Sequence, residues 1–470
     1  MAPEAIVRAA SSVASACRPE CSRVRRLNHW REEAVPENRH PEAAFEALSE
    51  GIGRRDLLLA ASAIGAGAVA PAWTLSPGVE DAIAAADDRP GPRVLQSGSG
   101  RRVGHYVTSR PNTVRWGSLP NRDAKPIRSV RSGALVTFDT VSHEGILEDQ
   151  GRDPVEYFTE KGVRKRDILR DARAIAGSEI EHDFANDGPH IVTGPIHVIG
   201  ASPGDVLRIT VVGLVPRAPY GVISNRHGKG ALPGEYPQTP APSPDASPAR
   251  PELYHNVSVF TPVRRIRSRY RGVLPVSRQL RAEFPIDPFM GIMGVALDTS
   301  EKVNSIPPTP AGGNLDIRDL TVGSKLFLPV FVPGAKFFVG DPHYRQGDGE
   351  VALTALEAPL RGTFRLTLLK RGSRAIPGRR GRLDMPFGET ADYWLPVGLN
   401  ADLDEAMKQA VREAIEFLHG ELGMPRAVAY AYMSAATDYV VSQVVDKTKG
   451  VHARILKNHF VKRRQPARPN

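Results

Sequence analysis

Short runs of β-branched residues, each bounded by glycine or proline, constrain the fold of this chain more than any other feature. The clearest are HIVTGPIHVIGA at 190–201 and DVLRITVVGLV at 205–215, joined by the turn sequence SPGD at 202–205. Val, Ile and Thr favour extended backbone, while Gly and Pro mark where such runs end. The apolar stretch KLFLPVFVPGAKFFVGD at 325–341 predicts one or two further buried strands, punctuated by proline. The sequence therefore predicts a mainly β protein.

The pattern changes near the C-terminal end of the chain. DLDEAMKQAVREAIEFLHG at 402–420 has apolar residues at helical spacing, with Asp402 or Asp404 to cap its start and Gly420 to end it. PRAVAYAYMSAATDYVVSQVVD at 425–446 predicts a second helix. We therefore expect a helical hairpin late in an otherwise β-rich chain.

An unusual segment, GIGRRDLLLAASAIGAGAVAPAWTLS, lies at 51–76. Arg54 and Arg55 precede 16 uncharged residues, 57–72, which is shorter than the roughly 20 residues that a membrane-spanning helix needs. The pattern resembles a bacterial twin-arginine export signal, and a buried helix is the alternative. We expect export to the periplasm or beyond by the twin-arginine machinery, with no stable membrane span after processing.

These features divide the chain into four parts. We expect an N-terminal extension with the export signal at 1–75, a linker at 76–104, one folded unit at 105–460 and a basic tail at 461–470. A proline-rich stretch at 232–251 reads as a surface loop or disordered insert within the folded unit.

Charge and cysteine content narrow the function classes. The net charge is +10, and residues 262–281 hold seven Arg and no acid. The Arg-rich stretch matches no recognition motif and lacks repeated aromatic residues, so we expect a solvated surface and no nucleic-acid partner. An anion-binding surface remains an alternative. Cys17 and Cys21 are the two cysteines, so the folded unit has no disulfide, thiolate metal site or cysteine nucleophile.

The segment VGDPHYRQGDGEV at 339–351 is unusually rich in side chains that can bind metals or transfer protons. Asp341, His343, Asp348 and Glu350 fall within ten positions, and the flanking glycines allow sharp bends. Oxygen and nitrogen ligands in this mix suit Zn²⁺ if a second imidazole joins them, or harder cations otherwise. A carboxylate beside a metal-bound water could act as a general base. On spacing alone, a solvated polar hairpin is an equal alternative.

Two further polar clusters follow predicted strands or glycines. GGNLDIRDL supplies Asn314 and Asp316, and FDTVSHEG supplies Asp139 and His143. Gly-flanked polar clusters at strand ends are typical of a convergent site, although each one alone also fits an ordinary turn. The sequence contains no GxSxG, phosphate-binding loop with Lys-Ser or Lys-Thr, GxGxxG after a strand, or HExxH motif.

The block from 312 to 359, GGNLDIRDLTVGSKLFLPVFVPGAKFFVGDPHYRQGDGEVALTALEAP, closely resembles the signature block of the acetamidase/formamidase family. Leu315 stands where Met is common in that family, and Pro342 with Tyr344 and Arg345 replaces small residues around the His.

Further blocks carry the same resemblance, which extends over about residues 105–460. They lie at 187–211, 288–296 and 432–457, and Leu297 replaces a proline after the second of them. The resemblance implies a β-sandwich or jelly-roll-like core with α/β additions. It also implies a metal-bound homo-oligomer that hydrolyses the C–N bond of small linear amides, such as formamide or acetamide, to a carboxylate and ammonia.

The resemblance also implies roles for the polar clusters. We expect a divalent ion, Zn²⁺ or Ca²⁺, to polarise the amide carbonyl and lower the pKa of a bound water. Glu350 or Glu357 could then move the proton to nitrogen, and Asn314 could donate a hydrogen bond to the developing oxyanion. The predicted metal ligands are Asp316, Asp341, His343 and Asp139, and the predicted catalytic residues are Glu350, Glu357, Asn314 and His143.

Gln443, Asp446 and His452 are further candidates for this site. The alternative function is an exported, non-catalytic relative that binds a small amide or a metal without turning it over.

Overall fold

The computed structural model describes residues 90–379 and 381–461. The predicted export segment at 51–76, Cys17, Cys21 and all but the first residue of the basic tail lie outside the described residues. So does the first half of the predicted linker. None of the helices within the described ranges is long and apolar enough to cross a membrane.

Strands dominate the described part of the chain. In chain order the strands are β1 (His105–Val107), β2 (Val114–Trp116), β3 (Ser118–Leu119), β4 (Arg128–Val130), β5 (Ala134–Asp139), β6 (Ile191–Val198), β7 (Val206–Pro216), β8 (Tyr220–Asn225), β9 (Val257–Ile266), β10 (Arg269–Pro275), β11 (Arg281–Pro285), β12 (Phe289–Gly294), β13 (Val303–Asn304), β14 (Gly312–Asn314), β15 (Lys325–Pro329), β16 (Phe337–Arg345), β17 (Leu356–Glu357), β18 (Leu360–Leu369), β19 (Phe387–Glu389), β20 (Tyr393–Asn400), β21 (Thr437–Gln443) and β22 (Lys449–Leu456). The α-helices are α1 (Pro154–Thr159), α2 (Arg170–Ala176), α3 (Leu403–Leu422) and α4 (Arg426–Ala436).

Two large sheets organise these strands. One has the order β1-β5-β18-β7-β15-β19-β20-β22-β21, built around the long antiparallel pair β7 and β18. The other has the order β11-β10-β9-β8-β17-β16-β12-β14, and β6 pairs with β16 and also with β2 and β4. Most pairings are antiparallel, as expected for strands joined by short turns.

The two sheets share one apolar core. Phe138 on β5 and Phe364 on β18 come from the first sheet, and both rings pack edge-on against Phe337 on β16 of the second, with centroids 5.9 and 6.0 Å apart. All three side chains are fully buried within the main core cluster. Packed sheets with a common core confirm the predicted mainly β, sandwich-like fold.

Helix α3 begins where the sequence predicted and ends slightly later. The Asp402 side chain accepts a hydrogen bond from the Glu405 backbone N–H at 3.0 Å, which identifies Asp402 rather than Asp404 as the N-cap. The helix continues through Gly420 and ends at Leu422, followed by Gly423 in the left-handed conformation. Gly420 serves close packing instead, since a Cβ there would lie 1.9 Å from the Gly378 carbonyl oxygen.

The second predicted helix is only half correct. Helix α4 stops at Ala436, and the next residues form strand β21, which pairs with β22 at the edge of the first sheet. The β-branched run after Thr437 therefore goes to a sheet edge rather than extending the helix.

Strand β16 runs further than the sequence suggested. It continues through Arg345, so Asp341 and His343 lie inside a strand that pairs with β12 on one side and with β6 and β17 on the other. The stretch at 349–358 is mostly irregular and contains only the two-residue strand β17. The polar loop is therefore not a simple hairpin.

Candidate metal and active site

Acidic and imidazole side chains from separate strands and loops converge beside β16. Within the described residues, four overlapping triads have ligand atoms that all lie within 4.8 Å of one another: His143–His190–Asp341, Asp316–Asp341–His343, His343–Glu350–Glu357 and Asp316–Glu350–Asp446. We call these eight residues the site cluster. Every member is buried.

Strained backbone presents several of these side chains. Asp316, Asp341 and Glu350 have φ values of 50°, 49° and 48°, in the left-handed region that non-glycine residues seldom adopt. Such conformations cost on the order of 1–3 kcal/mol each and persist where surrounding structure holds them, often at functional sites. Strand β16 and the loops that follow β14 and β16 therefore present these carboxylates from unfavourable backbone conformations.

A glycine on the neighbouring strand makes room for the site cluster. A Cβ at Gly291 of β12 would lie 2.5 Å from Asp316 Oδ1, 2.6 Å from Asp341 Oδ2 and 2.8 Å from His343 Cε1. Only glycine fits this close approach without displacing those side chains.

His343 lies at the middle of the site cluster. Its Nε2 atom is 3.0 Å from Asp341 Oδ2 and 3.0 Å from Glu357 Oε1, and its Nδ1 is 3.8 Å from Asp316 Oδ1. The ring packs edge-on against Phe289, with centroids 5.0 Å apart. An apolar ring on one side and carboxylates on the other fix the imidazole orientation.

Two more imidazoles lie close to the Asp341 carboxylate. His143 Nδ1 is 3.6 Å from Asp341 Oδ1, and His190 Nε2 is 3.7 Å from Asp341 Oδ2. The other ring nitrogen of His190 hydrogen-bonds Ser305 Oγ at 2.9 Å, which aims Nε2 at the carboxylate. Burial lowers the pKa of His190 to about 4, against the attraction of Asp341, so this imidazole is neutral and available as a ligand.

The buried ion pair of Glu144 and Arg226 contacts His143 at Nε2, the ring nitrogen that does not face Asp341. Glu144 Oε1 lies 3.3 Å from His143 Nε2 and 3.0 Å from Arg226 Nη1. Ser224 Oγ donates to the other carboxylate oxygen at 2.7 Å, and Arg226 Nε donates to Asp149 at 2.7 Å. A carboxylate behind an imidazole is a common support for histidine metal ligands, because it leaves the opposite nitrogen to bind.

Burial and neighbouring charges shift the pKa values of several acids in the site cluster. Burial raises the pKa of the Asp316 carboxyl to about 7, an effect that His343 opposes and Asp341 reinforces. Burial also raises the pKa of Glu350 and Asp446 well above the usual range, and the Asp316 charge adds to both shifts. For Asp341 burial acts in the same direction, but His343, His190 and His143 together outweigh it and hold the pKa well below its ordinary value. Positive charge placed among these carboxylates would stabilise their ionised forms.

Many polar atoms of the site cluster have no hydrogen-bond partner, although buried polar atoms are normally paired. The unpaired buried atoms include His143 Nδ1, Asp316 Oδ1 and Oδ2, Asp341 Oδ1, His343 Nδ1, Glu357 Oε2 and Asp446 Oδ2. Leaving such groups unpaired is costly, and coordination to a cation is one way to satisfy them. The donor set therefore fits a divalent metal ion, with imidazole-rich triads suited to Zn²⁺ and all-carboxylate triads suited to harder cations.

Most of the residues predicted from sequence meet here. Asp316, Asp341, His343, Glu350 and Glu357 all belong to the site cluster, together with His143. Asp446, a weaker candidate, also belongs to it.

The structure does not bring Asp139 into the site cluster, which corrects its prediction as a metal ligand. Its carboxylate accepts hydrogen bonds from Arg361 Nε at 2.6 Å and Arg361 Nη2 at 2.9 Å, and Arg217 Nη2 lies 3.7 Å away. The Tyr106 hydroxyl also donates to it. Two guanidinium groups already neutralise this carboxylate, so it serves the packing of β5 against β18.

Other candidates lie beside the site cluster rather than in it. Asn314 is buried on β14, and its Oδ1 has no hydrogen-bond partner. Gln443 Nε2 donates to the Thr448 carbonyl at 2.8 Å. His452 bonds Ser442 and Asp319, and Asp348 pairs with Arg318 at 2.8 Å.

The sequence reasoning missed His190, Glu144 and Gly291. His190 is the first residue of a predicted strand segment, and Glu144 directly follows the predicted site residue His143. A polar residue at the end of a predicted strand is the pattern that could have identified both. Gly291 lies in PFMGIMGVA, where nothing local separates it from an ordinary strand glycine.

Residues 298–456 match the model of the Acetamidase/Formamidase family. A putative formamidase of Schizosaccharomyces pombe is 34% identical over 215 residues, covering 39% of this chain and 52% of that protein. A formamidase of Methylophilus methylotrophus is 27% identical over 282 residues, covering 49% of this chain and 66% of that protein. The matches thus span about half to two thirds of these relatives. The predicted resemblance to the family is confirmed.

Solved structures agree on the fold. An acetamidase from Bacillus halodurans has a TM-score of 0.56 and 23% identity, covering 76% of this chain and 98% of that one. An acetamidase from Yersinia enterocolitica has a TM-score of 0.57 and 23% identity, covering 79% and 96%. At this identity the likeness concerns the fold alone.

Proposed function

The chain is related to the acetamidase/formamidase family through residues 298–456, and from that premise we propose that it hydrolyses the C–N bond of small linear amides. The products are a carboxylate and ammonia. The observation that carries the proposal is the site cluster, in which buried carboxylate and imidazole atoms lie within 4.8 Å of one another without hydrogen-bond partners.

Two non-overlapping triads would hold divalent cations. His143, His190 and Asp341 form the imidazole triad, and Asp316, Glu350 and Asp446 form the carboxylate triad. When bound, a divalent cation supplies Lewis acidity to an amide carbonyl and makes water more acidic.

Buried carboxyls of the site cluster supply the proton transfers. Burial raises the pKa of Glu357 and, by a larger margin, that of Glu350, although His343 opposes both shifts. A carboxylate with a raised pKa is a better base at neutral pH. It accepts a proton from water as the new C–O bond forms and returns it to nitrogen as the C–N bond breaks. Glu357 is the stronger choice because its Oε2 atom is buried and unpaired.

Asn314 is the proposed donor to the developing oxyanion. It lies on β14, opposite Ile292 of β12, next to the glycine that accommodates the site cluster. Removing such a donor typically costs about 3–4 kcal/mol of transition-state stabilisation.

Substitution within the site cluster tests this proposal. We expect Asp341→Asn and His343→Gln each to reduce ammonia release from formamide and acetamide at least about 100-fold while the protein stays folded by circular dichroism. Asp298→Asn is the matched control, because Asp298 forms an exposed ion pair with Arg122. Undiminished turnover in either site variant would remove that residue from the reaction.

Export and assembly are proposed on the sequence alone. The Arg54–Arg55 pair and the uncharged stretch after it support export through the twin-arginine machinery. We expect Arg54→Lys combined with Arg55→Lys to retain the protein inside an expressing bacterium, and cell fractionation measures this. A homo-oligomer is expected from the family resemblance, and light scattering of the purified chain measures its mass.

A further inference from the structure

Beside the site cluster, three polar residues form a hydrogen-bonded row. His452 Nε2 lies 3.0 Å from Asp319 Oδ2, and Ser442 Oγ lies 2.7 Å from His452 Nδ1. A carboxylate oxygen only accepts, so Nε2 donates to Asp319, and a neutral imidazole then accepts from the Ser442 hydroxyl at Nδ1. We call these residues the Asp319–His452–Ser442 row.

The row contains the groups of a serine-hydrolase triad in an arrangement that does not suit nucleophilic attack. In such a triad the serine bonds Nε2 and the aspartate bonds Nδ1, whereas here the two nitrogens are exchanged. Ser442 is 1% exposed, and the Asp319 side chain is the more exposed end at 18%. The hydroxyl points into the protein, so the row has a structural task.

That task concerns the polypeptide segment that carries Glu350. The Ser442 carbonyl oxygen accepts hydrogen bonds from Gly349 N at 3.1 Å and from Gln346 Nε2 at 3.0 Å. In return, Val444 N donates to the Gly349 carbonyl oxygen at 3.1 Å. The backbone around Ser442 therefore holds the loop immediately before Glu350.

The same row reaches the other two acids of the carboxylate triad. Asp319 follows Asp316 by three positions in the chain, and Gln346 Nε2 also donates to the Asp316 carbonyl oxygen at 3.0 Å. Asp446 follows Ser442 by four positions. Three chain segments that each contribute one acid to the triad are thus joined through the row.

We propose that the Asp319–His452–Ser442 row is a positioning unit that sets the spacing of Asp316, Glu350 and Asp446, and so determines how tightly the carboxylate triad binds a divalent cation. When ionised to bind a cation, three neighbouring carboxylates repel one another, so a rigid frame is needed to hold them within coordinating distance. The imidazole triad has separate supports, because His190 contacts Ser305 and His143 contacts Glu144. The inference rests on the proposed metal sites.

Cation titration of the full, metal-stripped chain tests the inference. The variants are Ser442→Ala and His452→Gln, and isothermal titration with Ca²⁺ and separately with Zn²⁺ gives the affinity of each triad. We expect both variants to bind Ca²⁺ about 10–100-fold more weakly, the range typical for residues that orient metal ligands. Zn²⁺ affinity should stay within about twofold of wild type.

Matched controls come from the same region. Ser434→Ala removes an exposed serine of α4, and His459→Gln removes an exposed histidine beyond β22. Both should bind Ca²⁺ like wild type. Circular dichroism and the thermal midpoint establish that each variant is folded.

The outcomes separate this inference from the proposed activity. Wild-type Ca²⁺ affinity in folded Ser442→Ala and His452→Gln overturns the inference, and so does an equal loss of Ca²⁺ and Zn²⁺ affinity, which indicates general unfolding of the site. A wild-type chain that binds both cations but hydrolyses no amide contradicts the activity and leaves the inference intact. A wild-type chain that binds neither cation contradicts the metal sites and the inference with them.

Discussion

At the scale of single residues, whether an acid belongs to the site depends on its neighbours in space, which can be far away along the chain. Asp341, His343 and Asp316 could be predicted as site residues because glycine-flanked acids and imidazoles near strand ends are an unusual local pattern. Asp139 fits the same pattern but faces Arg361, which is 222 positions away. No local signal reveals such a long-range partner, so the sequence could not separate a ligand from an ion-pairing acid.

The absence of a side chain at Gly291 is a requirement of the site. We expect Gly291→Ala to reduce amide hydrolysis and Zn²⁺ affinity at least about tenfold, because the new Cβ would lie 2.5 Å from Asp316 Oδ1 and 2.6 Å from Asp341 Oδ2. Steady-state kinetics and cation titration measure the two effects. Gly213→Ala on β7 is the control, since a Cβ there meets nothing within 4 Å. If both glycine variants behave alike, the space at Gly291 does not matter.

Glu144 should act through His143. We expect Glu144→Gln to weaken Zn²⁺ binding about 10–100-fold, because the neutral amide no longer fixes the imidazole through the 3.3 Å contact at Nε2. The same change leaves Arg226 with Asp149 as its remaining acidic partner, so chemical denaturation should show some loss of stability. Ca²⁺ affinity should be unchanged. A variant that binds Zn²⁺ as tightly as wild type would refute the supporting role.

At the scale of secondary-structure elements, the helical spacing of apolar residues and the capping residues predicted α3 well. The same signals failed for the segment that follows α4. In α3 the cap lies at Asp402, one of the two predicted positions, and the helix buries Ala406, Ala410, Ala414, Phe417 and Leu418. In contrast, apolar residues continue from α4 into β21, and hydropathy alone does not distinguish a buried helix from a strand. Pairing with β22 is what keeps β21 extended.

The start of α3 offers a direct test of the cap. We expect Asp402→Ala to lower the free energy of unfolding by about 1 kcal/mol, because it removes the acceptor for the Glu405 N–H. Asp404→Ala should cost less, since this residue lies inside the first turn and contributes chiefly through the helix dipole. Urea denaturation at neutral pH compares the two variants. The reverse order of stability would identify Asp404 as the cap.

The Asp319–His452–Ser442 row should also make the pairing of β21 and β22 depend on pH. Burial raises the pKa of the Asp319 carboxyl, but hydrogen bonds from His452 and Arg454 outweigh it and bring the pKa to about 2. An unfolded aspartate titrates near 3.9, so the folded state gains stability from this group above about pH 4 and loses it as the pH falls toward about 2.

The corresponding variant is Asp319→Asn. Its deficit in unfolding free energy relative to wild type should be full at about pH 6 and smaller at about pH 3, as measured by urea denaturation. A deficit that grows as the solution is acidified would contradict the assigned ion pair.

At the scale of the whole molecule, the fold class and the convergence of the polar segments could be predicted, but the complete site could not. Gly- and Pro-bounded β runs predict packed sheets, and the signature block contributes an interior strand to each of them, β15 to the first sheet and β16 to the second. His190 immediately precedes β6 and Gly291 lies on β12, and these two strands flank β16, so the roles of both residues depend on the order of strands in the sheet. Strand order is set by the shared core and does not appear in any local pattern.

The central claim is that this chain is a metal-dependent amide hydrolase whose chemistry lies at the site cluster. The most direct test is ammonia release from formamide and acetamide by the purified chain, before chelation, after chelation and after readdition of Zn²⁺ and Ca²⁺. We predict hydrolysis of at least one of these amides, its loss on metal removal and its recovery on readdition. Full activity in the metal-free chain would contradict the metal dependence, and metal binding without release of ammonia from either amide would identify a non-catalytic binding protein instead.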